Sequence, residues 1–267
     1  AEDLGAATEI VYVENEYGEK IERIIPKSNF RKNLALFFFK NNIVDPKLDW
    51  LGQGLTQAIN IDLCQDMFIN SHASVWEKLQ EKGFYDKNSV PLTIKREISK
   101  EIHVEYFIGG EISINESGNY VVMTNLHRTS DGKVLAKNTF ENSDIFSLID
   151  EISLQIKYDL DIPANHIDNS IDLPISEIMT ESLNAYEYYI RGLFNFMGKD
   201  FNEGISFMEK AVMEDETFGM AYFHLQGLYV MNNQGDKRLE IAKKAMEYIY
   251  KIPERFAYLV KIVFFES

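Results

Sequence analysis

The sequence predicts two fold classes in one chain: an α/β domain with a mixed sheet and helices, and after it an all-α array of helix pairs. Three observations lead there. Leu34-Ala35-Leu36-Phe37-Phe38-Phe39 is an unbroken apolar run of the kind buried on both faces of a sheet. Residues 104–140 alternate and are punctuated by Gly-Asn and Asp-Gly turns, as a meander does. From Tyr186 to Pro253 the text repeats itself: Tyr188 recurs as Tyr222, Phe194 as Leu228, Met208 as Ala242 and Ala211 as Ala245.

In order, residues 9–26 read as a hairpin. Ile10-Val11-Tyr12-Val13 and Ile21 to Ile25 flank a turn at Asn15-Glu16-Tyr17-Gly18, and Pro26 ends the second strand. Two placements are open for it, an edge ribbon on the following domain or an arm reaching a neighbouring chain. The apolar run follows as a buried strand. Leu51, Leu55, Ile59, Leu63 and Met67, four residues apart, make one helix face expected to cover the sheet. Gly52-Gln53-Gly54 lacks the Lys-Ser/Thr of a phosphate loop. A short strand is expected over 67–71, then a helix opened by a capping box at Ser74 and Glu77 and stopped at Gly83. A helix starts at Pro91 with Ile94, Ile98 and Ile102 on one face. After the meander, Ser143 is expected to cap a helix carrying Phe146, Ile149, Ile152 and Ile156.

The domains expected are a hairpin over 1–32, the α/β domain over 33–161, a linker over 162–179 and helical repeats over 180–267, with the third repeat truncated. The chain begins at Ala1 with no basic-then-apolar leader and stops inside a helical pattern at Phe264-Phe265-Glu266-Ser267, the expectation being a segment of something longer. Thr180 is the expected cap of the first repeat helix, Gly198 its end, and Asp200 with Glu203 the start of the next.

The 34-residue period is that of tetratricopeptide (TPR) repeats, whose helix pairs stack and leave a concave surface. Gly192, Gly204, Met208 and Ala211 suit the first unit, and Tyr222, Leu225, Tyr229, Ala242 and Ala245 the second. Gln226 stands where a close-approach glycine is expected, Arg238 where a small residue is, and Glu216 where a proline is. If the first helix of each pair lines the concave face, Tyr186, Tyr189, Leu193, Phe196 and Met197, then Met220, Phe223, Val230 and Met231, form a candidate partner-binding face of the aromatic and methionine type. The competing reading places the same residues in the core. Tyr189 and Leu193 stand where a carboxylate-gripping groove would carry Lys or Asn, which argues against a terminal carboxylate as ligand.

The apolar run, the Asp45…Leu51-Gly52-Gln53-Gly54-Leu55 helix start, Tyr106-Phe107-Ile108-Gly109-Gly110-Glu111-Ile112 and Ser130-Asp131-Gly132-Lys133-Val134 together resemble the TolB amino-terminal-type α/β domain. The segment from Ile178 to Gly192 and Pro253-Glu254-Arg255-Phe256 resemble its junction with tetratricopeptide repeats, as found in bacterial signalling proteins. The resemblance implies a regulatory segment of a larger kinase or nucleotide cyclase, with any such activity outside this chain. No Val-Ala-x-Lys after a Gly-rich loop, no His-Arg-Asp and no Asp-Phe-Gly occurs in it.

Composition narrows the function classes. With 267 residues, 45% apolar and 26% charged, the chain has material for two cores. Its 42 acidic and 27 basic residues leave a net charge of −15, which repels phosphate backbones and anionic membranes. Nucleic acid is therefore not an expected partner, and no apolar run has the ~20 residues of a membrane span. Cys64, the single cysteine, reads as a buried structural thiol, and the compartment, cytoplasm or periplasm with or without a membrane tether ahead of Ala1, stays open.

His72, His103, His127, His166 and His224 are scattered and read as surface or strand-end residues, without metal-ligand spacing. Asp159, Asp161, Asp168 and Asp172 lack the calcium-loop pattern and read as solvated acids. No cofactor or metal is expected, and no catalytic residues. The expected role is a non-catalytic protein- or peptide-binding segment for sensing or scaffolding, with homodimer formation open through the hairpin or the helix ends. The alternatives are a stand-alone envelope-associated TolB-like factor and an enzyme with a site between the domains.

Overall fold

The computed structural model describes residues 4–15, 18–71, 75–84 and 90–265. In chain order, α1 (Leu4–Ala7) leads into β1 (Thr8–Glu14) and β2 (Lys20–Pro26). Next come β3 (Lys32–Leu36), β4 (Lys40–Asn41), α2 (Leu51–Leu63), β5 (Ile69–Ser71), α3 (Val75–Glu81) and α4 (Leu92–Glu101). A meander of β6 (Tyr106–Ile114), β7 (Tyr120–Arg128) and β8 (Val134–Asn142) precedes α5 (Ile145–Asp159). The remainder is helical: α6 (Ala164–Asn169), α7 (Ile175–Ile178), α8 (Leu183–Met197), α9 (Phe201–Glu214), α10 (Gly219–Met231), α11 (Arg238–Glu247) and α12 (Glu254–Phe265).

The chain divides into two compact units, and the division is not the sequential one expected. One unit takes residues 1–40, 66–143 and 151–172; the other takes 41–65, 144–150 and 173–267. The stretch with α2 is thus grouped with the later helices, from 173 onward.

In the α/β unit the sheet runs β5-β3-β6-β7-β8, with β4 also pairing β6. β3 is parallel to β5 and β6, whereas β6, β7 and β8 are antiparallel neighbours. Leu34, Ala35, Leu36, Phe37 and Phe39 of the apolar run are all buried, as expected, but only Leu34 to Leu36 lie in β3, and Phe37 and Phe39 follow its end. Ala35, Phe37 and Phe107 meet Val75, Leu79 and Ile98 of α3 and α4 in one cluster. Phe37 and Phe107 pack edge to face, with centroids 6.0 Å apart. Gly110 has no room for a side chain, since a Cβ would lie 2.0 Å from the Met123 carbonyl oxygen.

The hairpin forms with Ile10 opposite Ile24, as a two-stranded sheet of its own rather than an edge ribbon on the main sheet. Glu16 and Tyr17 of its turn lie outside the described residues, as do Ser74 of the expected capping box and His72. Asp144, not Ser143, caps α5: its carboxylate accepts from the Ser147 amide at 2.9 Å. Lys157 of α5 is almost fully enclosed and pairs with Asp172 at 2.5 Å, so this acid of the linker is not merely solvated. His166 and Asp66 lie 3.2 Å apart, and His127 is buried, its ring stacked on Phe107.

In the helical unit α8, α9, α10 and α11 are successive neighbours, and their contacts run antiparallel. Phe196 meets Phe201, and Tyr188 meets Phe207, across α8 and α9. Across α10 and α11, Tyr222 stacks on Tyr248 with centroids 6.1 Å apart, while Lys237 lies over Tyr229. A Cβ on Gly192 would lie 2.9 Å from Met208 Cγ and 3.1 Å from the Gly204 carbonyl, so α8 and α9 approach closely at this pair of glycines. The α8 cap is Ser182, whose hydroxyl accepts from the Ala185 amide at 3.2 Å; the expected cap, Thr180, accepts from the Ser182 amide instead. Asp200 caps α9 as expected. Gln226 is buried with no partner for its Oε1 among the described residues.

Candidate functional site

The face expected to receive a partner is already occupied on α8 by the protein's own α2. Trp50 packs edge-on against Tyr186, with centroids 5.8 Å apart. The Tyr186 hydroxyl donates to the Gly54 carbonyl at 2.7 Å, and Phe146 closes on the same ring from another side. Arg191 bridges Asp49 and Glu187, both at 2.8 Å. At the other end of α2, Arg255 of α12 donates to Cys64 Sγ at 3.7 Å. α2 therefore reaches from α8 to α12 along the helical array.

The candidate residues differ in exposure. Tyr186, Tyr189, Leu193 and Met220 are buried, a correction to their assignment as an open binding surface. Phe196, Met197 and Phe223 are half-buried, and Val230 and Met231 are exposed at the end of α10. Burial drives the phenols of Tyr186 and Tyr189 above their ordinary pKa, the first strongly, as expected of packed core groups. Cys64 is half-buried rather than enclosed; burial raises its thiol pKa, and the Arg255 guanidinium opposes that.

His224 sits between Tyr189 and Phe223, with ring centroids at 5.5 and 5.0 Å. Its Nδ1 lies 3.0 Å from the Met220 carbonyl, within reach as a donor. Burial lowers its pKa to about 4, against that hydrogen bond. It is thus neither a surface nor a strand-end histidine.

Sequence reasoning missed the exposed side of α12. Tyr258, Leu259, Ile262 and Phe265 are all exposed, and their spacing puts them on one helical stripe. Beside the starts of α7 and α8 lies a cleft of about 480 Å³ carrying Glu177, Glu181, Glu214 and Asp215, with Lys251 and Tyr250 on its wall. Burial works against ionisation of Asp215, but bonds from Thr180 and Thr217 hold its carboxyl below the usual range. Lys251 donates to Thr217 at 2.7 Å. Among the described residues no group of three or more His, Cys, Asp and Glu could hold a metal ion, and no helix is long and apolar enough to cross a membrane.

The arrangement defines a class, an α/β unit with a mixed sheet joined to an array of antiparallel helices. No family model and no curated protein matches the sequence. Among solved structures, the chain is similar to the LpoB C-terminal domain from Escherichia coli at 13% identity and a TM-score of 0.36, covering 42% of this chain and 83% of that one. It is also similar to TolB from Acinetobacter baumannii, at 14% identity and a TM-score of 0.34, over 58% of this chain and 31% of that one. Lipoprotein GNA1162 from Neisseria meningitidis is 15% identical with a TM-score of 0.35, over 52% of this chain and 98% of that one. At such identities and scores, function has to be argued from this chain's own residues.

Proposed function

We propose that this chain is a non-catalytic protein-binding segment whose helical unit is a tetratricopeptide-type array. The observation that carries the reading is the seating of α2: the array holds a helix against its first helices, which is the task such arrays perform. The period supports it in three dimensions. Tyr189 of α8 meets His224 of α10 35 residues on, and Phe223 of α10 meets Phe256 of α12 nearly the same distance further. The partner we infer is an amphipathic helix of another protein, docked on the stripe of Tyr258, Leu259, Ile262 and Phe265 that α2 leaves uncovered, with basic side chains to suit the acidic cleft.

A photo-crosslinking residue placed at Ile262 in the native cell tests this. A discrete protein adduct that is absent when the same residue replaces exposed Met213 supports the reading. No adduct, or equal labelling from both sites, overturns it. A regulatory role in a larger bacterial signalling protein rests on the motif resemblance from Ile178 to Gly192. The second reading, an envelope-associated factor, is raised by the similarity to TolB and to a lipoprotein. Cell fractionation separates the two.

A further inference from the structure

A cavity of about 560 Å³ in the α/β unit lies on one face of the meander, between the open part of the sheet and the start of α4. Register places Gly109, Glu111, Met123, Asn125, His127, Lys137 and Thr139 on that face, since Gly109 pairs with Asn125, Asn125 with Lys137, and Glu111 with Met123. Lys95 reaches over this floor from α4. A Cβ on Gly109 would come within 2.7 Å of its Nζ, so the bare backbone of Gly109 is what gives the amino group its place.

The charge there is opposite to that of the chain. Lys40, Lys95 and Lys137 line the cavity against one carboxylate among the described residues, Glu111, in a protein of net charge −15. Among the described residues none of the three lysines has a carboxylate within ion-pair distance, whereas Lys78 and Lys157 each have one and Lys82 has two. Lys95 is moreover half-buried, with the Phe37 ring 5.8 Å from its Nζ. Burial alone lowers its pKa, with no partner to offset it. An unpaired cation in such a place is costly for folding and useful for binding. Phe38, Val90, Leu92 and Met123 supply the apolar part of the lining, beside the neutral polar groups of Thr124, Asn125, Asn138 and Thr139.

We propose that this cavity binds a small organic carboxylate with an apolar body, its carboxyl group paired with Lys95 and its body against Phe38, Leu92 and Met123. Lys40 and Lys137 at the rim draw the anion in, and the size suits a small-molecule site.

Calorimetry on the whole chain with phenylacetate, its neutral isostere phenylacetamide and inorganic phosphate tests the assignment. Phenylacetate is expected to bind at least tenfold more tightly than the other two. Lys95→Met is expected to lose at least tenfold while remaining folded, because it removes a half-buried cation that has no carboxylate partner among the described residues. Gly109→Ala, which keeps the charge but displaces the amino group, is expected to weaken binding as well. No heat with phenylacetate, equal binding by wild type and Lys95→Met, or tighter binding of the amide or of phosphate would each overturn the proposal.

Discussion

The phenol of Tyr186 donates a 2.7 Å hydrogen bond to the carbonyl oxygen of Gly54, 132 residues earlier in the chain. Through it α2 is fixed to α8, the first long helix of the helical unit. Removing the hydroxyl in Tyr186→Phe leaves a buried carbonyl without that donor and is expected to cost about 1 to 2 kcal/mol. Trp50→Ala, which takes away the ring packed on Tyr186, is expected to cost about 3 kcal/mol or more. Urea denaturation of both variants measures this. Equal stability of all three proteins would show that α2 is not held as described.

Tyr189 and Met231 were candidates for one binding surface, and the fold separates them. Tyr189 is enclosed and Met231 is 57% exposed. Tyr189→Asp buries an unpaired charge and is expected to abolish the helical circular dichroism signal or lower the midpoint severely. Met231→Asp is expected to stay within about 0.5 kcal/mol of wild type.

His224 makes stability depend on pH. Its folded-state pKa of about 4 lies below the ordinary 6.5, so the unfolded chain takes up its proton first as the pH falls. Its contribution is therefore complete above pH 6.5 and is lost progressively as the pH falls from 6.5 toward 4. The loss expected is on the order of 2 to 3 kcal/mol. Urea midpoints of wild type and His224→Gln at pH 7, 5.5 and 4.5 isolate this slope from that of the carboxylates. The difference between the two proteins should shrink or reverse at low pH, and parallel curves would refute it.

Two helical glycines are expected to respond oppositely to alanine. Gly192 faces Met208 and the Gly204 carbonyl, so Gly192→Ala forces α8 and α9 apart and is expected to cost about 1 to 3 kcal/mol. Gly227, in α10, has no atom within 4 Å of where a Cβ would be, and Gly227→Ala is expected to gain about 0.5 to 1 kcal/mol from helix propensity. Thermal melts of the two variants check the sign of each.

By itself the sequence determined most of the longer elements, because their signals are local, though not the short helices α6 and α7 inside the expected linker. The run from Leu34 to Phe39, the turns at Gly118 and Gly132, both with positive φ, and the Asp200 cap each depend on a few neighbouring residues. The 34-residue recurrence likewise placed α8 to α12 and marked Gly192 as a point of close approach. Tertiary structure alone decided which faces are covered. The stripe Leu51, Leu55, Ile59, Leu63 states that α2 is buried on one side, but not against what, since an apolar face packs on any apolar partner of suitable shape. In the fold ten of the thirteen α2 residues are buried, and the tyrosines that looked like a binding face hold it. The lysines of the meander face were equally silent in sequence: Lys95 and Gly109 are fourteen positions apart, and only strand pairing brings Asn125 and Lys137 beside them. Hydrophobic pattern is written residue by residue, whereas the partner of each surface is a property of the packed chain.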